Sequence, residues 1–198
     1  DWDVGDPHKM HFPQLPDLET GMDVLATTPY PPNPDLGKIV ADDWQCRSTG
    51  PVTDIHIWGS WLNNQFPHDP SGEPNPSAVT FRLSIWSNVP ATPDTYSRPG
   101  DLLWDFVLPP GTFRARWWAT APNEVFYDPN IGDIIGTDTE VIQYNFLFDP
   151  AEAFRQEAGT FYWLGVSAEF DPDDQAVFGW KTSKDVFEDD SVYGDFIL

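Results

Sequence analysis

The stretch AVTFRLSIWS, residues 78–87, gives the clearest indication of the fold class. Its apolar and polar side chains alternate, with Val79, Phe81, Leu83 and Ile85 in one set and Thr80, Arg82 and Ser84 in the other. Because successive side chains of a β-strand point to opposite faces, this period of two predicts a half-buried strand. VIQYNFLF, residues 141–148, repeats the pattern and predicts a second strand, whose inner face carries Ile142, Tyr144, Phe146 and Phe148.

Six more stretches are rich in β-branched and aromatic residues and predict further strands. Twenty-one prolines and fourteen glycines interrupt the chain and exclude long helices. Only DPAEAFRQEAG, residues 149–159, predicts a short helix, with Asp149 as its N-cap and Gly159 at its end. The sequence therefore predicts an all-β fold, an antiparallel two-sheet sandwich of jelly-roll-like type. The six stretches are GKIVADDW (37–44), DIHIWGSW (54–61), DLLWDFVLP (101–109), TFRARWWA (112–119), GTFYWLGVSAEF (159–170) and QAVFGWKTS (175–183).

The first 36 residues differ from the rest of the chain. They are rich in proline, and only MDVLA, residues 22–26, resembles a strand. Such a segment cannot build a core of its own, so we expect it to lie extended across this domain or a neighbouring subunit. The predicted organisation is an extended N-terminal arm over residues 1–36, a possible inter-subunit strand, followed by a β-sandwich domain over residues 37–198.

The net charge bounds the partners and the location. Thirty-two acidic residues against ten basic ones give a net charge of −22, which would repel phosphate backbones and anionic membranes. No apolar run approaches the roughly 18 residues that a membrane span needs. We expect a chain that begins at Asp1 to be a mature form whose signal peptide has been removed. The prediction is an extracellular or cell-surface protein that binds no nucleic acid and does not insert into a membrane.

The segment GDPHKMHF, residues 5–12, contains a candidate copper site. His8, Met10 and His11 cluster there, although the chain has only four histidines and two methionines. Imidazole and thioether groups together suit copper, and His56 and Cys46 could complete the site through the fold. The alternative is an extended arm in which Met10 is buried and the histidines are hydrogen-bonded.

Several acidic clusters are candidate calcium sites. Calcium takes six to eight oxygen ligands, commonly from such clusters together with backbone carbonyls. None of the clusters matches the full EF-hand pattern, and turns favour Asp and Asn for backbone reasons as well. The candidate ligands are Asp128, Asn130 and Asp133 in YDPNIGD, Asp171, Asp173 and Asp174 in FDPDDQ, and Asp42 and Asp43 in ADDW.

Tryptophan is abundant, and no catalytic motif accompanies it. Ten tryptophans are too many for one core, and strand alternation prevents Trp117 and Trp118 from both facing inward. Exposed indoles suit sugar rings and protein partners, so this pair is a possible sugar platform. The chain contains no GxSxG, HExxH, phosphate-loop or dinucleotide motif. Cys46, the only cysteine, is expected to be a small buried residue. The prediction is therefore a protein that is not an enzyme.

Several blocks of the chain resemble a known family. HKMHFPQLPD, ADDW, GPVTDIHIWGSW and FGWKTS, in this order, resemble a family of secreted, uncharacterised β-sandwich domains of aquatic bacteria. Those domains often precede a C-terminal surface-sorting signal. The resemblance implies an exported β-sandwich and supplies no catalytic residues.

The arm, the acidity and the candidate metal ligands together suggest self-assembly. Apolar residues of the arm could add a strand to the sheet of the next subunit, and such contacts propagate into a filament unless they close into a ring. Bound calcium or copper would secure the fold or the subunit junctions against charge repulsion. We therefore expect a secreted structural protein that forms an extracellular homopolymer; the alternative is a carbohydrate-binding module of a polysaccharide-handling system. The arm residues are Trp2, Val4, Phe12 and Leu15, together with Met10.

Overall fold

The structure is a computed structural model that describes residues 2–4, 13–28, 38–169, 171, 173–187 and 189–195. In these residues it has thirteen β-strands and one short 3₁₀ turn, Leu62–Asn64. The predicted all-β sandwich is confirmed, and all eight predicted strands are present. The strands are β1 (Met22–Leu25), β2 (Thr27–Thr28), β3 (Lys38–Gln45), β4 (Gly50–Pro51), β5 (Asp54–Trp61), β6 (Phe81–Val89), β7 (Arg98–Leu108), β8 (Arg114–Asp128), β9 (Asp133–Leu147), β10 (Arg155–Gln156), β11 (Phe161–Glu169), β12 (Phe178–Lys181) and β13 (Val192–Asp195).

Two large sheets form the body of the molecule. In the first, β1, β12, β5, β9 and β8 follow one another, and β1 pairs in parallel with the far end of β8, which closes this sheet into a ring. The second sheet is open and has the order β13, β3, β11, β6, β7, with β2 beside the end of β11. Strands β1 and β2 are separated only by Ala26, so the chain passes from one sheet to the other there. Residues 22–28, which lie within the predicted arm, are thus part of both sheets.

An aromatic core packs between the two sheets. Phe81 is fully buried at its centre, with ring centroids 4.8 Å from Tyr144 and 5.0 Å from Phe178. Trp61 donates an indole hydrogen bond to the Tyr144 hydroxyl over 2.8 Å, which satisfies two polar groups inside the core. The inner faces that period-two alternation predicts in β6 and β9 are all buried. Each large apolar side chain removed from water stabilises the fold by about 1.5–3 kcal/mol.

The start of the chain covers the other face of the closed first sheet. Trp2 is buried against Trp58, with ring centroids 6.2 Å apart. Its carbonyl oxygen accepts hydrogen bonds from Gln143 over 2.8 Å and from Arg116 over 2.7 Å. Gln143 and Asn145 are therefore buried, although they occupy the polar positions of an alternating strand. This part of the ring is covered on both faces.

The predicted helix over residues 149–159 is wrong. A single turn forms at Asp149, whose carboxylate accepts a hydrogen bond from the Ala151 N–H. Strand β10 begins at Arg155, and the carbonyl of Phe154 accepts a hydrogen bond from the Val52 N–H. Pairing with neighbouring strands outweighs the helical preference of this short segment. No helix long and apolar enough to cross a membrane occurs among the described residues.

Candidate functional site

A cavity of about 1100 Å³ opens between the two sheets. One wall comes from β3, where Asp42 and Trp44 line it, and the opposite wall comes from β5 and β12, with Trp58 and Trp180. Gln156 of β10 lies at the cavity wall and accepts a hydrogen bond from the Trp44 indole over 3.2 Å. Two partly exposed indoles, those of Trp44 and Trp180, and a set of polar groups thus line one open cavity, the arrangement in which proteins hold small ligands.

The cavity wall is acidic. Aspartates 42, 43, 54, 185 and 190 all line it. Burial raises the pKa of Asp42 to about 7, and the charges of Asp43 and Asp190 act in the same direction. Hydrogen bonds from the Asp43 N–H and from Gln14 oppose this rise. Near neutral pH, Asp42 therefore exchanges between a hydrogen-bond acceptor and a protonated donor, a property typical of binding and catalytic sites.

A buried ionic cluster lies next to the cavity, at one end of the ring. Two register pairs create it: Asp23 of β1 lies opposite Lys181 of β12, and Glu124 of β8 lies opposite Asp138 of β9. The parallel pairing of β1 with β8 brings the two pairs together. Lys181 Nζ lies 2.5 Å from Asp23 Oδ2, forms an ion pair with Glu124 and lies 3.7 Å from Asp138 Oδ1. The four side chains are almost completely removed from water.

The environment of the cluster shifts its protonation equilibria. Burial raises the pKa of Asp23 well above its usual range, and the charges of Asp138 and Glu124 add to this rise against the opposing charge of Lys181. Burial also raises the pKa of Glu124. Burial alone would lower the pKa of Lys181, but the surrounding carboxylates raise it above its usual value. The lysine therefore stays charged, and its single positive charge cannot neutralise all three carboxyl groups.

This cluster also contains a possible metal-ligand set. Asp23, Glu124 and Asp138 are the group of three or more His, Cys, Asp or Glu side chains whose ligand atoms lie within 4.8 Å of one another in the described part of the chain. None of these three residues was among the metal ligands predicted from the sequence. Each stands alone between apolar or neutral neighbours, so no local pattern distinguishes it, and the pairs meet only through the sheet register. An aspartate inside the apolar strand MDVL is the one local hint.

The predicted copper ligands are mostly not covered by the structure. His8, Met10 and His11 lie outside the described residues, as does Phe12 of the predicted arm. His56 lies within β5, where its Nδ1 is 2.7 Å from Asn145 Oδ1 and its Nε2 is 3.4 Å from Asp54 Oδ2. Cys46 is buried, as predicted, and its thiol hydrogen-bonds to the Ser48 carbonyl over 3.1 Å.

The predicted calcium loops mainly satisfy backbone groups. The Asp128 carboxylate accepts a hydrogen bond from the Asn130 N–H over 2.8 Å, and Asp133 accepts one from the next residue in the β8–β9 turn. Gly132 has a φ of +69°, which permits this turn without strain.

The other predicted acidic residues lie apart from that turn. Asp171 accepts a hydrogen bond from the Asp173 N–H, and Asp174 pairs with His68. Asp42 and Asp43 lie in β3 and line the cavity. The structure therefore places the three predicted groups at three separate locations.

The residues of the predicted sugar platform and of the predicted arm differ in solvent exposure. Trp117 is 58% exposed, whereas Trp118 is half-buried, with its ring centroid 5.5 Å from that of Trp58. Trp118 therefore packs in the cluster that contains Trp2 and Trp58. Trp2 is buried in its own chain and Leu15 packs in the same cluster, but Val4 is exposed.

Comparison with known proteins places the chain in a family without supplying an activity. No curated protein and no solved structure gives a significant match. The profile of one uncharacterised family, described as Domain of unknown function (DUF7901), matches residues 10–196, which is nearly the whole sequence. The two-sheet fold with its inter-sheet cavity is thus the architecture of a member of that family, and this chain belongs to the DUF7901 family.

Proposed function

We propose that the protein is an extracellular binding module that holds a neutral saccharide in the cavity between its two sheets. The observation that carries this proposal is the convergence of two partly exposed indoles and several carboxylates on one cavity of about 1100 Å³. A cavity at the upper end of the usual size range for ligand sites has room for more than one sugar ring.

The cavity offers two kinds of contact that sugars use. The indole rings of Trp44 and Trp180 are half-buried and can cover the C–H faces of a sugar ring, since aromatic side chains present large, rigid apolar surfaces. Carboxylate and amide oxygens, such as those of Asp42 and Gln156, can accept hydrogen bonds from sugar hydroxyls. A ligand with alternating apolar faces and hydroxyl edges fits this combination.

The charge of the cavity narrows the ligand class. Its five aspartates outnumber the two basic side chains that line it, Lys181 and His56, and therefore disfavour uronic acids, sulfated sugars and phosphorylated ligands, because like charges repel. The hydroxyl-rich ligand is therefore expected to be uncharged.

Replacing Trp44 by alanine tests this function. We expect Trp44→Ala to weaken binding to the recognised neutral polysaccharide by about tenfold or more, because a buried aromatic contact often contributes over 1.4 kcal/mol. Affinity electrophoresis through gels containing β-glucan, xylan, mannan or galactan measures the loss. Trp117→Ala is the matched control, since it removes an exposed indole that does not line the cavity.

The outcomes separate the two tryptophan surfaces. If Trp117→Ala abolishes retardation and Trp44→Ala does not, sugar binding belongs to the exposed residue of the predicted platform. If the parent protein is not retarded by any neutral polysaccharide but binds an amine, the acidic wall recognises a cation and the saccharide proposal fails.

Self-assembly is a second candidate function, and the free edge of β7 favours it. Strand β7 spans eleven residues and has β6 as its only sheet neighbour among the described residues. Leu102, Leu103 and Val107 are about half exposed along this edge. A long edge strand with exposed apolar side chains accepts a strand from another chain. We propose that the partner is a second copy of this chain, in line with the predicted filament.

A charged substitution on the β7 edge distinguishes self-assembly from a monomeric function. We expect Val107→Lys to abolish filaments seen by negative-stain electron microscopy, because it places a charge on the joining edge. Tyr193→Lys on β13, the opposite edge of the same sheet, should leave filaments intact. Dispersed particles of the parent protein, with or without a chelator, would reject self-assembly.

A further inference from the structure

We propose that Asp23, Glu124 and Asp138 form a binding site for a calcium-sized divalent cation at the end of the ring, next to the saccharide cavity, whose wall includes their ion-pair partner Lys181. The calcium ligands predicted from the sequence lie in acidic clusters elsewhere in the chain, whereas this site is built from three strands. The burial and the unsatisfied oxygens of the cluster carry the inference.

Four carboxylate oxygens in the cluster have no hydrogen-bond donor. They are Asp23 Oδ1, Glu124 Oε1 and both oxygens of Asp138. Asp138 is 1% exposed, and its nearer oxygen lies 3.7 Å from Lys181 Nζ, beyond hydrogen-bonding distance. Buried carboxylate oxygens without donors are strongly unfavourable, so a ligand that they can coordinate is expected here.

The spacing of these groups suits one ion. Ligand atoms from the three carboxylates lie within 4.8 Å of one another, which is about twice a calcium–oxygen distance of 2.3–2.6 Å. An all-oxygen ligand set selects hard cations, and carboxylates of this kind are the ligands that calcium commonly takes. Nothing in the cluster provides a soft ligand for copper.

Charge balance points to the same ligand. Three carboxylates around the single ammonium group of Lys181 leave two negative charges uncompensated when all four groups are ionised. One divalent cation neutralises the site. Because the groups lie in a low-dielectric interior, this neutralisation is worth far more than it would be at the surface.

A second, smaller cavity gives the ion access. Its volume is about 220 Å³, and its wall includes Glu124 together with Thr20, Gly21 and Pro122. A Cβ atom on Gly21 would lie 3.0 Å from Glu124 Oε1, so this glycine keeps the space beside one proposed ligand atom open. The ligand oxygen therefore adjoins a path that does not pass through the saccharide cavity.

The test measures the thermal stability of the full chain with calcium alone. After treatment with EDTA and dialysis, we expect calcium at about 100 times its dissociation constant to raise the Tm by about 5–10 °C. Terbium should show emission sensitised by tryptophan, since Trp180 adjoins Lys181 in sequence, and calcium should displace it. Asp138→Asn should abolish both responses, whereas Asp133→Asn in the predicted calcium loop should preserve them.

Other results would contradict the proposed cation site. An unchanged Tm of the parent protein up to 10 mM calcium, without terbium emission, would show that protons neutralise the cluster. A response lost in Asp133→Asn but kept in Asp138→Asn would move the site to the loop, and an equal response to magnesium would overturn the assignment to a calcium-sized ion. If Asp138→Asn does not fold, metal analysis of the parent protein decides the question, with one equivalent of calcium expected.

Discussion

The replacement Lys181→Met is expected to lower the free energy of unfolding by about 3–5 kcal/mol, measured by urea denaturation at pH 8 in a chelator. Methionine retains the length of the side chain but removes the only cation within the cluster of Asp23, Glu124 and Asp138. The three carboxylates, which are almost inaccessible to water, would then face one another without compensation. The loss should shrink as the pH falls, because protonation of the carboxyl groups removes their repulsion.

Lys184→Met is the matched control for this replacement. Lys184 lies three residues further on and pairs with Asp17 and Glu19, but its side chain is 56% exposed. Exposed ion pairs usually contribute 0–1 kcal/mol, so we expect little change in the denaturation midpoint. Equal effects of the two replacements would show that Lys181 does not compensate buried charge.

A second large effect is expected at Asp42, where Asp42→Asn should stabilise the protein at pH 8 and have little effect at pH 4. The pKa of Asp42 rises from 3.8 to about 7 on folding because the carboxyl is buried at the cavity wall. The folded state therefore binds more protons than the unfolded state between these values. Stability must then fall as the pH rises from about 4 to 7 and level off above that range.

The size of the effect follows from the proton difference. One proton bound only by the folded state changes stability by at most about 1.4 kcal/mol per pH unit. Because water still reaches the carboxyl through the cavity, we expect Asp42→Asn to gain about 1–3 kcal/mol at pH 8. Urea midpoints between pH 4 and 8 measure this gain as a difference in slope between the two proteins.

Asp69→Asn provides a control with the opposite sign. Hydrogen bonds from the Ser71 side chain and from nearby backbone N–H groups lower the pKa of Asp69. Its contribution is present at neutral pH and lost as the pH falls through its lowered pKa, so this replacement should destabilise the protein at pH 7. If Asp42→Asn destabilises at pH 8 to the same degree, its carboxylate stabilises the fold and our account of the cavity wall is wrong.

A carboxyl group that costs stability at neutral pH is informative about function. Proteins retain such groups where binding requires them, because stability and activity often conflict at a site. Asp42 lines the cavity that we propose for saccharide binding. A stabilising Asp42→Asn replacement that also weakens polysaccharide binding would link the two properties directly.

Alternation in the sequence predicted the inner faces of the strands but not the covering of the outer ones. In β9, Tyr144 and Phe146 are buried as their period predicts. Gln143 and Asn145 occupy the predicted polar face and are buried as well, because Trp2 and His56 lie against them. Period two distinguishes the faces of a strand, whereas burial of the second face depends on distant parts of the chain.

Local propensity also misjudged the segment from Asp149 to Gly159. Its cap and end residues suit a helix, yet strand pairing at Arg155 and Gln156 determines its structure. A helix this short gains little from its own hydrogen bonds, so contacts with the rest of the sandwich prevail.

By itself, the sequence determined the β-sandwich, the aromatic core and the strong negative charge of the protein. These properties follow from residue order and composition, because side-chain alternation and net charge do not depend on which strands become neighbours. Which residues come together in the two sites follows only from the tertiary structure. The inter-sheet cavity joins β3 to β5 and β12, and the ionic cluster joins residues 23, 124, 138 and 181 through the closure of the ring. Strand register across such distances is set by the packing of the whole chain, which no local pattern records.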